Sequence, residues 1–224
     1  MKTTNNSKLI IATTIVAFFA ISTSLQSVEA LANHATHTMN SQGGAYPDIW
    51  GIKSTYIADN TSISSGTLTS PTWATLDTGI YREVGWLDNS GGSFYSYWAI
   101  NGAVKTPTYT GISDGTSYNW EVSNINQDFT WEMSAPGLTK TWTDFSYGDP
   151  AVDIQNGLEY STTSITLPTI TYSSQKAYVN GGWANWSDFV NGRVGETDPA
   201  DAYVLECGND YTSQHGEGSE PASC

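Results

Sequence analysis

Apolar and polar residues alternate with a period of two along most of the chain, and a helical period is nearly absent. Tyr81-Arg82-Glu83-Val84-Gly85-Trp86 and Phe94-Tyr95-Ser96-Tyr97-Trp98 are two such runs. The turn-rich Asp88-Asn89-Ser90-Gly91-Gly92 between them predicts a hairpin. The same pattern predicts strands over 49–57, 66–73, 79–87, 93–100, 103–109, 117–125, 129–134, 138–145, 154–160, 164–173 and 175–179, with one short helix around 185–190. Asn101-Gly102 is the strongest two-residue hairpin signal, because both central positions of such a turn need a positive φ. Turn signals spaced about 8–12 residues apart predict an all-β, two-sheet antiparallel sandwich rather than a parallel α/β sheet. After Gly181 the chain becomes glycine- and acid-rich, which predicts an irregular C-terminal appendage carrying Trp183 and Trp186.

The amino end departs from this pattern. Lys2 and Lys8 precede an apolar run over 9–21, and a polar stretch ends at Val28-Glu29-Ala30, the order of a secretory signal peptide. The apolar run is short for a bilayer span. The expected organisation is therefore a signal peptide over 1–30, a flexible mature amino terminus over 31–45, the sandwich over 46–180 and the appendage over 181–224. Export implies a secreted, extracellular protein with no membrane attachment after cleavage, and a monomer is expected.

Composition narrows the class. Aromatic residues make up 12% and charged residues 13%, against roughly 25% charged in an average globular domain. Aromatic and β-branched side chains suit a pleated surface. A formal net charge of −14 excludes nucleic acid as a partner, since a row of phosphates would meet like charge. It also favours acid, where carboxylates neutralise and self-repulsion falls. The two cysteines, Cys207 and Cys224, are expected to pair in an oxidising compartment and staple the tail. Such a loop closure is worth on the order of 3 kcal/mol. His34 and His37 form an H-x-x-H that offers at most a weak metal site, and no motif calls for a cofactor.

Glu83-Val84-Gly85-Trp86, followed by an aromatic strand ending Tyr97-Trp98, is similar to a segment of neprosin, the plant glutamic peptidase, which carries a Glu-Ala-Gly-Trp strand and then a Phe-Thr-Tyr-Trp strand. The fungal eqolisins, a second glutamic peptidase family, look related, with a Gln in place of that Glu. Closer still are uncharacterised microbial secreted proteins that share the Glu-Val-Gly-Trp strand, a Trp-rich strand like Phe129-Thr130-Trp131-Glu132 and a late Ser/Gly-x-Glu. The resemblance covers roughly 46–175 and implies a concanavalin-like jelly roll. It also implies a second catalytic glutamate on a later strand of one concave sheet, for which Glu159 in Gly157-Leu158-Glu159 is the candidate. In neprosin two adjacent glycines precede that residue, and here Leu158 interrupts them.

The implied chemistry is metal-free. Two carboxyl groups across a cleft separate in proton affinity. The ionised one takes a proton from water and the protonated one donates to the peptide carbonyl. Polypeptide is the implied substrate, at acidic pH. Strand parity puts Tyr81, Glu83 and Gly85 on one face and Arg82, Val84 and Trp86 on the other. Tyr81, Tyr95, Tyr97, Trp86 and Trp98 are the substrate-binding candidates, although parity turns the two tryptophans toward the core. A tyrosine-lined cleft also suits a non-catalytic, lectin-like carbohydrate-binding sandwich. A glycoside hydrolase would likewise use two carboxylates, about 5–9.5 Å apart. The alternative role for Glu83 is that of an ordinary ion-pair partner for Arg82 of a neighbour or for Lys105 on an exposed sheet face.

Overall fold

The computed structural model describes residues 33–40, 47–77, 79–162, 165–186, 193–198, 202–207 and 213–217. Strands form in the order β1 (Asn33–Asn40), β2 (Ile49–Ala58), β3 (Thr67–Asp77), β4 (Ile80–Asn89), β5 (Phe94–Ile100), β6 (Ala103–Tyr109), β7 (Thr116–Ser123), β8 (Thr130–Ala135), β9 (Leu138–Thr143), β10 (Asp153–Tyr160), β11 (Ile170–Val179), β12 (Gly182–Asn185), β13 (Arg193–Asp198), β14 (Ala202–Glu206) and β15 (Ser213–Glu217). One sheet runs β13-β1-β10-β3-β4-β5-β6 and the other β14-β15-β11-β2-β7-β8-β9, with β12 beside β11. The named strand pairs are antiparallel. This is the expected all-β sandwich.

Alternation builds the core. Val84 and Trp86 of β4, Leu68 and Ala74 of β3, and Ile154 and Leu158 of β10 face Ile52, Tyr56, Trp120, Val122, Trp131 and Met133 of the other sheet, all buried. Each aromatic ring removes about 150–250 Å² from water, so these rings dominate the packing. Their polar ends bridge the sheets. The Trp86 indole donates to the Ile57 carbonyl at 3.1 Å, and the Tyr56 hydroxyl to the Ser70 carbonyl at 2.9 Å. The Tyr172 hydroxyl donates to the Gly157 carbonyl at 2.6 Å. The β5–β6 hairpin turns on Asn101 and Gly102, both at positive φ (51° and 74°), as a primed turn requires.

The ends depart from the sequence reading. Asn33–Asn40, expected to be flexible, is a strand held between β10 and β13. Its inward side chains Ala35, His37 and Met39 are buried. The tail is not irregular: β13 extends one sheet through β1, and β14 and β15 extend the other through β11. Only 170–173 of the expected strand 164–173 form strand, and they join 175–179 in β11, with a register shift between Ser173 and Lys176 and Ser174 at φ 52°. Asn185 of the expected helix ends β12, and 187–190 lie outside the described residues, as do the signal segment 1–30 and Cys224. Among the described residues no helix is long and apolar enough to cross a membrane.

Candidate active site

The outward face of the seven-stranded sheet follows from register. One row across it reads Ala99, Glu83, Trp73, Gln155 and Thr38 on β5, β4, β3, β10 and β1. Four residues further along β3, a second row reads Tyr95, Leu87, Thr69, Glu159 and His34. Glu83 and Glu159 therefore share a face, on strands separated only by β3. Between the rows lies a third, in which Tyr97 and Gly85 align with Pro71, and Gly157 with Thr36. Where both acids flank it, this middle row consists of Gly85, Pro71 and Gly157. At its β4 and β10 positions this row carries no side chain.

The glycines are there for a steric reason. A Cβ on Gly85 would sit 2.3 Å from the Ser70 carbonyl oxygen, and one on Gly157 would sit 2.3 Å from that of Ala35. Backbone of the neighbouring strand occupies that space, and backbone cannot rotate away. The Gly of Glu83-Val84-Gly85-Trp86 thus permits close approach of β3 to β4.

Glu83 is 3% exposed. Burial pushes its carboxyl up to about 7, and a hydrogen bond from the Tyr97 hydroxyl opposes that rise without cancelling it. Glu159 is 9% exposed. On a flat sheet, two strand spacings of about 4.8 Å and four rises of about 3.3 Å would set the two α-carbons about 16 Å apart. Both carboxylates nevertheless act on the same two phenols. Tyr81 and Tyr97 are raised above the ordinary tyrosine range, chiefly by burial and then by Glu83, with Glu159 adding in the same direction. A buried acid kept protonated and a second acid on the same sheet face can divide donor and base roles between them.

Of the aromatic candidates, Tyr81, Tyr95 and Tyr97 lie on the Glu83 face. Tyr97 is fully buried and Tyr81 and Tyr95 are partly exposed. Trp86 and Trp98 are a correction: both point into the core between the sheets, where they pack as structural rings. Odd spacing from Glu83 on β4, and from Tyr97 on β5, forces that side. Glu83 makes no ion pair with Arg82, which turns inward, faces Asp144 at 3.6 Å and donates to the Asn101 side chain at 3.2 Å. His34 and His37 cannot converge, because their odd separation puts them on opposite faces. His37 meets Glu206 at 3.0 Å. Among the described residues no cluster of His, Cys, Asp or Glu could hold a metal.

Two neighbours were missed. Trp73, partly exposed, stands directly across from Glu83, and His34 directly across from Glu159. The alternation Thr69, Pro71, Trp73, Thr75 against Leu68, Ser70, Thr72, Ala74 was legible, but only pairing reveals what Trp73 faces.

No family model and no curated protein matches the chain. Among solved structures, scytalido-glutamic peptidase with a transition state analog inhibitor aligns at a TM-score of 0.60 and 11% identity, covering 83% of this chain and 98% of that one. SCP-B, a member of the eqolisin family of peptidases in complex with the tripeptide Ala-Ile-His, aligns at a TM-score of 0.58 and 11% identity with the same coverage. The chain resembles the eqolisin glutamic peptidases in fold, the likeness that the Glu-Val-Gly-Trp segment implied.

Proposed function

We propose that the protein is a secreted glutamic endopeptidase acting at acidic pH on polypeptide, with Glu159 as the base and Glu83 as the acid. Glu159 takes a proton from water as its oxygen attacks the peptide carbonyl carbon. Protonated Glu83 donates a hydrogen bond to the carbonyl oxygen as negative charge gathers there. On collapse of the tetrahedral species the C–N bond breaks, and Glu159 passes its proton to the departing amine nitrogen. Tyr97 orients Glu83, and Trp73, Tyr81 and Tyr95 supply apolar surface for substrate side chains. The mature chain begins after the signal segment, is monomeric and carries a Cys207–Cys224 bond.

The observation that supports this reading most is the burial of Glu83, which favours its protonated form up to about pH 7, on the same sheet face as Glu159 across the row of Gly85, Pro71 and Gly157. The test is cleavage of an acid-denatured protein between pH 2 and 8. Glu159→Gln is expected to abolish cleavage and Glu83→Ala to reduce it by orders of magnitude. Glu83→Gln, which keeps a neutral donor, is expected to retain measurable activity and lose the fall in rate near pH 7. Full activity in Glu159→Gln would remove the proposal. The lectin-like alternative rests on the partly exposed rings of Trp73, Tyr81 and Tyr95. Saccharide binding at this face without proteolysis over the same pH range would favour it.

A further inference from the structure

The outer face of the other sheet carries an independent site. The chain has 8 lysines and arginines against 22 acids, yet Lys53 of β2 and Lys176 of β11 stand directly opposite each other. Like charges in that register destabilise a sheet. They line a cleft of about 270 Å³ with Thr55, Asn119, Glu121 and Ser174. The cleft opens where β11 bulges. Ser174 there takes a left-handed conformation (φ 52°) that costs a non-glycine residue energy, and the Ser173 hydroxyl donates to the Thr55 carbonyl at 3.0 Å.

Lys53, Thr55, Asn119 and Glu121 are each aimed by a neighbour. The Lys53 ammonium lies 4.0 Å over the Trp183 ring, which is braced edge-on by Tyr178 at 5.3 Å. The Thr55 hydroxyl donates to the Asn119 side-chain oxygen at 2.7 Å, leaving the amide NH₂ as a donor. The Ser123 hydroxyl holds one oxygen of Glu121 at 2.8 Å, leaving the other as an acceptor. Two ammoniums against one carboxylate suit a ligand with a single negative charge, since Glu121 would repel a phosphate dianion or a densely sulfated chain. A free carboxylate oxygen and a free amide beside them match neighbouring hydroxyls. The volume lies near the lower end of small-molecule sites, the scale of one sugar ring.

We infer that this cleft binds a uronate unit of an acidic polysaccharide, with Lys176 and Lys53 on the carboxylate and Asn119 and Glu121 on the ring hydroxyls. It is separate from the Glu83–Glu159 face and does not depend on the peptidase reading.

Calorimetric titration of the folded chain at pH 8, where inorganic phosphate is mostly the dianion, with trigalacturonate, galactotriose and inorganic phosphate tests it. The expected result is millimolar or tighter binding of trigalacturonate and at least about tenfold weaker binding of the other two. A further loss of about tenfold is expected in Lys176→Gln, the equivalent of one charge-assisted contact. Glu159→Gln is expected to bind as the parent does. Lys176 is only partly buried, so an unchanged thermal unfolding curve should confirm an intact fold. No binding of trigalacturonate, equal binding of galactotriose, phosphate binding of equal strength, or binding unaltered by both Lys176→Gln and Lys53→Gln would each overturn the inference.

Discussion

The Tyr97 hydroxyl on β5 donates to the Glu83 carboxyl on β4, although Tyr97 is paired in register with Gly85 rather than with Glu83. The bond is a diagonal one, running past the Gly85 position to Glu83. Through this contact the rigid hairpin of β4 and β5 sets the direction of a buried acid.

Replacing Tyr97 by Phe should therefore act on Glu83 before it acts on the fold. The hydroxyl now favours the ionised carboxyl, so its removal should move the Glu83 pKa upward. A carbon-13 titration of the labelled glutamate checks the direction. Loss of the bond should cost about 1–3 kcal/mol of stability at neutral pH, because an acceptor is left buried.

Glu83→Gln should stabilise the protein at neutral pH and leave it unchanged in acid. The folded carboxyl titrates near 7 and the unfolded one near 4.5. Stability is fully present below 4.5 and is lost as pH rises through 7, by about 3 kcal/mol at roughly 1.4 kcal/mol per unit. Asp88, raised to about 6 chiefly by burial, has the same sign. Denaturant unfolding at pH 4 and pH 8 of parent and variant measures the difference.

His215 works in the opposite direction. Its ring is fully buried, with Nδ1 2.8 Å from the Ala35 carbonyl oxygen and Nε2 2.8 Å from the Ser213 hydroxyl, and burial lowers its pKa to about 3. An unfolded histidine binds its proton near 6.5, so this residue's contribution is whole above 6.5 and is lost as pH falls toward 3. Together the three groups should place the stability maximum at about pH 4 to 4.5. His215→Gln should remove the fall in stability on the acid side of that maximum, between about pH 4 and 3, and steepen the rise in Tm on acidification from 6.5 to 4.5.

Gly85→Ala should destabilise by about 1–3 kcal/mol or more, since the new methyl meets the Ser70 carbonyl and β3 must move. Gly92→Ala is the control for loss of glycine at a position with open space, although its φ of 77° carries its own strain. Urea midpoints of the two variants compare steric crowding inside the sheet with backbone strain in a turn.

Strand positions and face parity were legible wherever apolar side chains alternate with polar ones, as in β2 through β10. β1 and β15 escaped because their buried positions are filled by Ala35, His37, Ser213 and His215, which carry little hydrophobic signal. β14 does carry an apolar run, Ala202-Tyr203-Val204-Leu205, yet the glycine- and acid-rich surroundings hid it. Trp86 and Trp98 illustrate the reverse error, an aromatic motif read as a binding surface when its parity already pointed inward.

By itself the sequence determined a β-rich chain, its hairpins and the side of β4 on which Glu83 projects, because period-two patterning and turn residues act locally. Pairing of β10 with β3 decided that Glu159 shares that side, and burial decided the proton affinity of Glu83. The β10–β3 pairing joins residues some eighty to ninety positions apart, a relation that strand alternation does not encode.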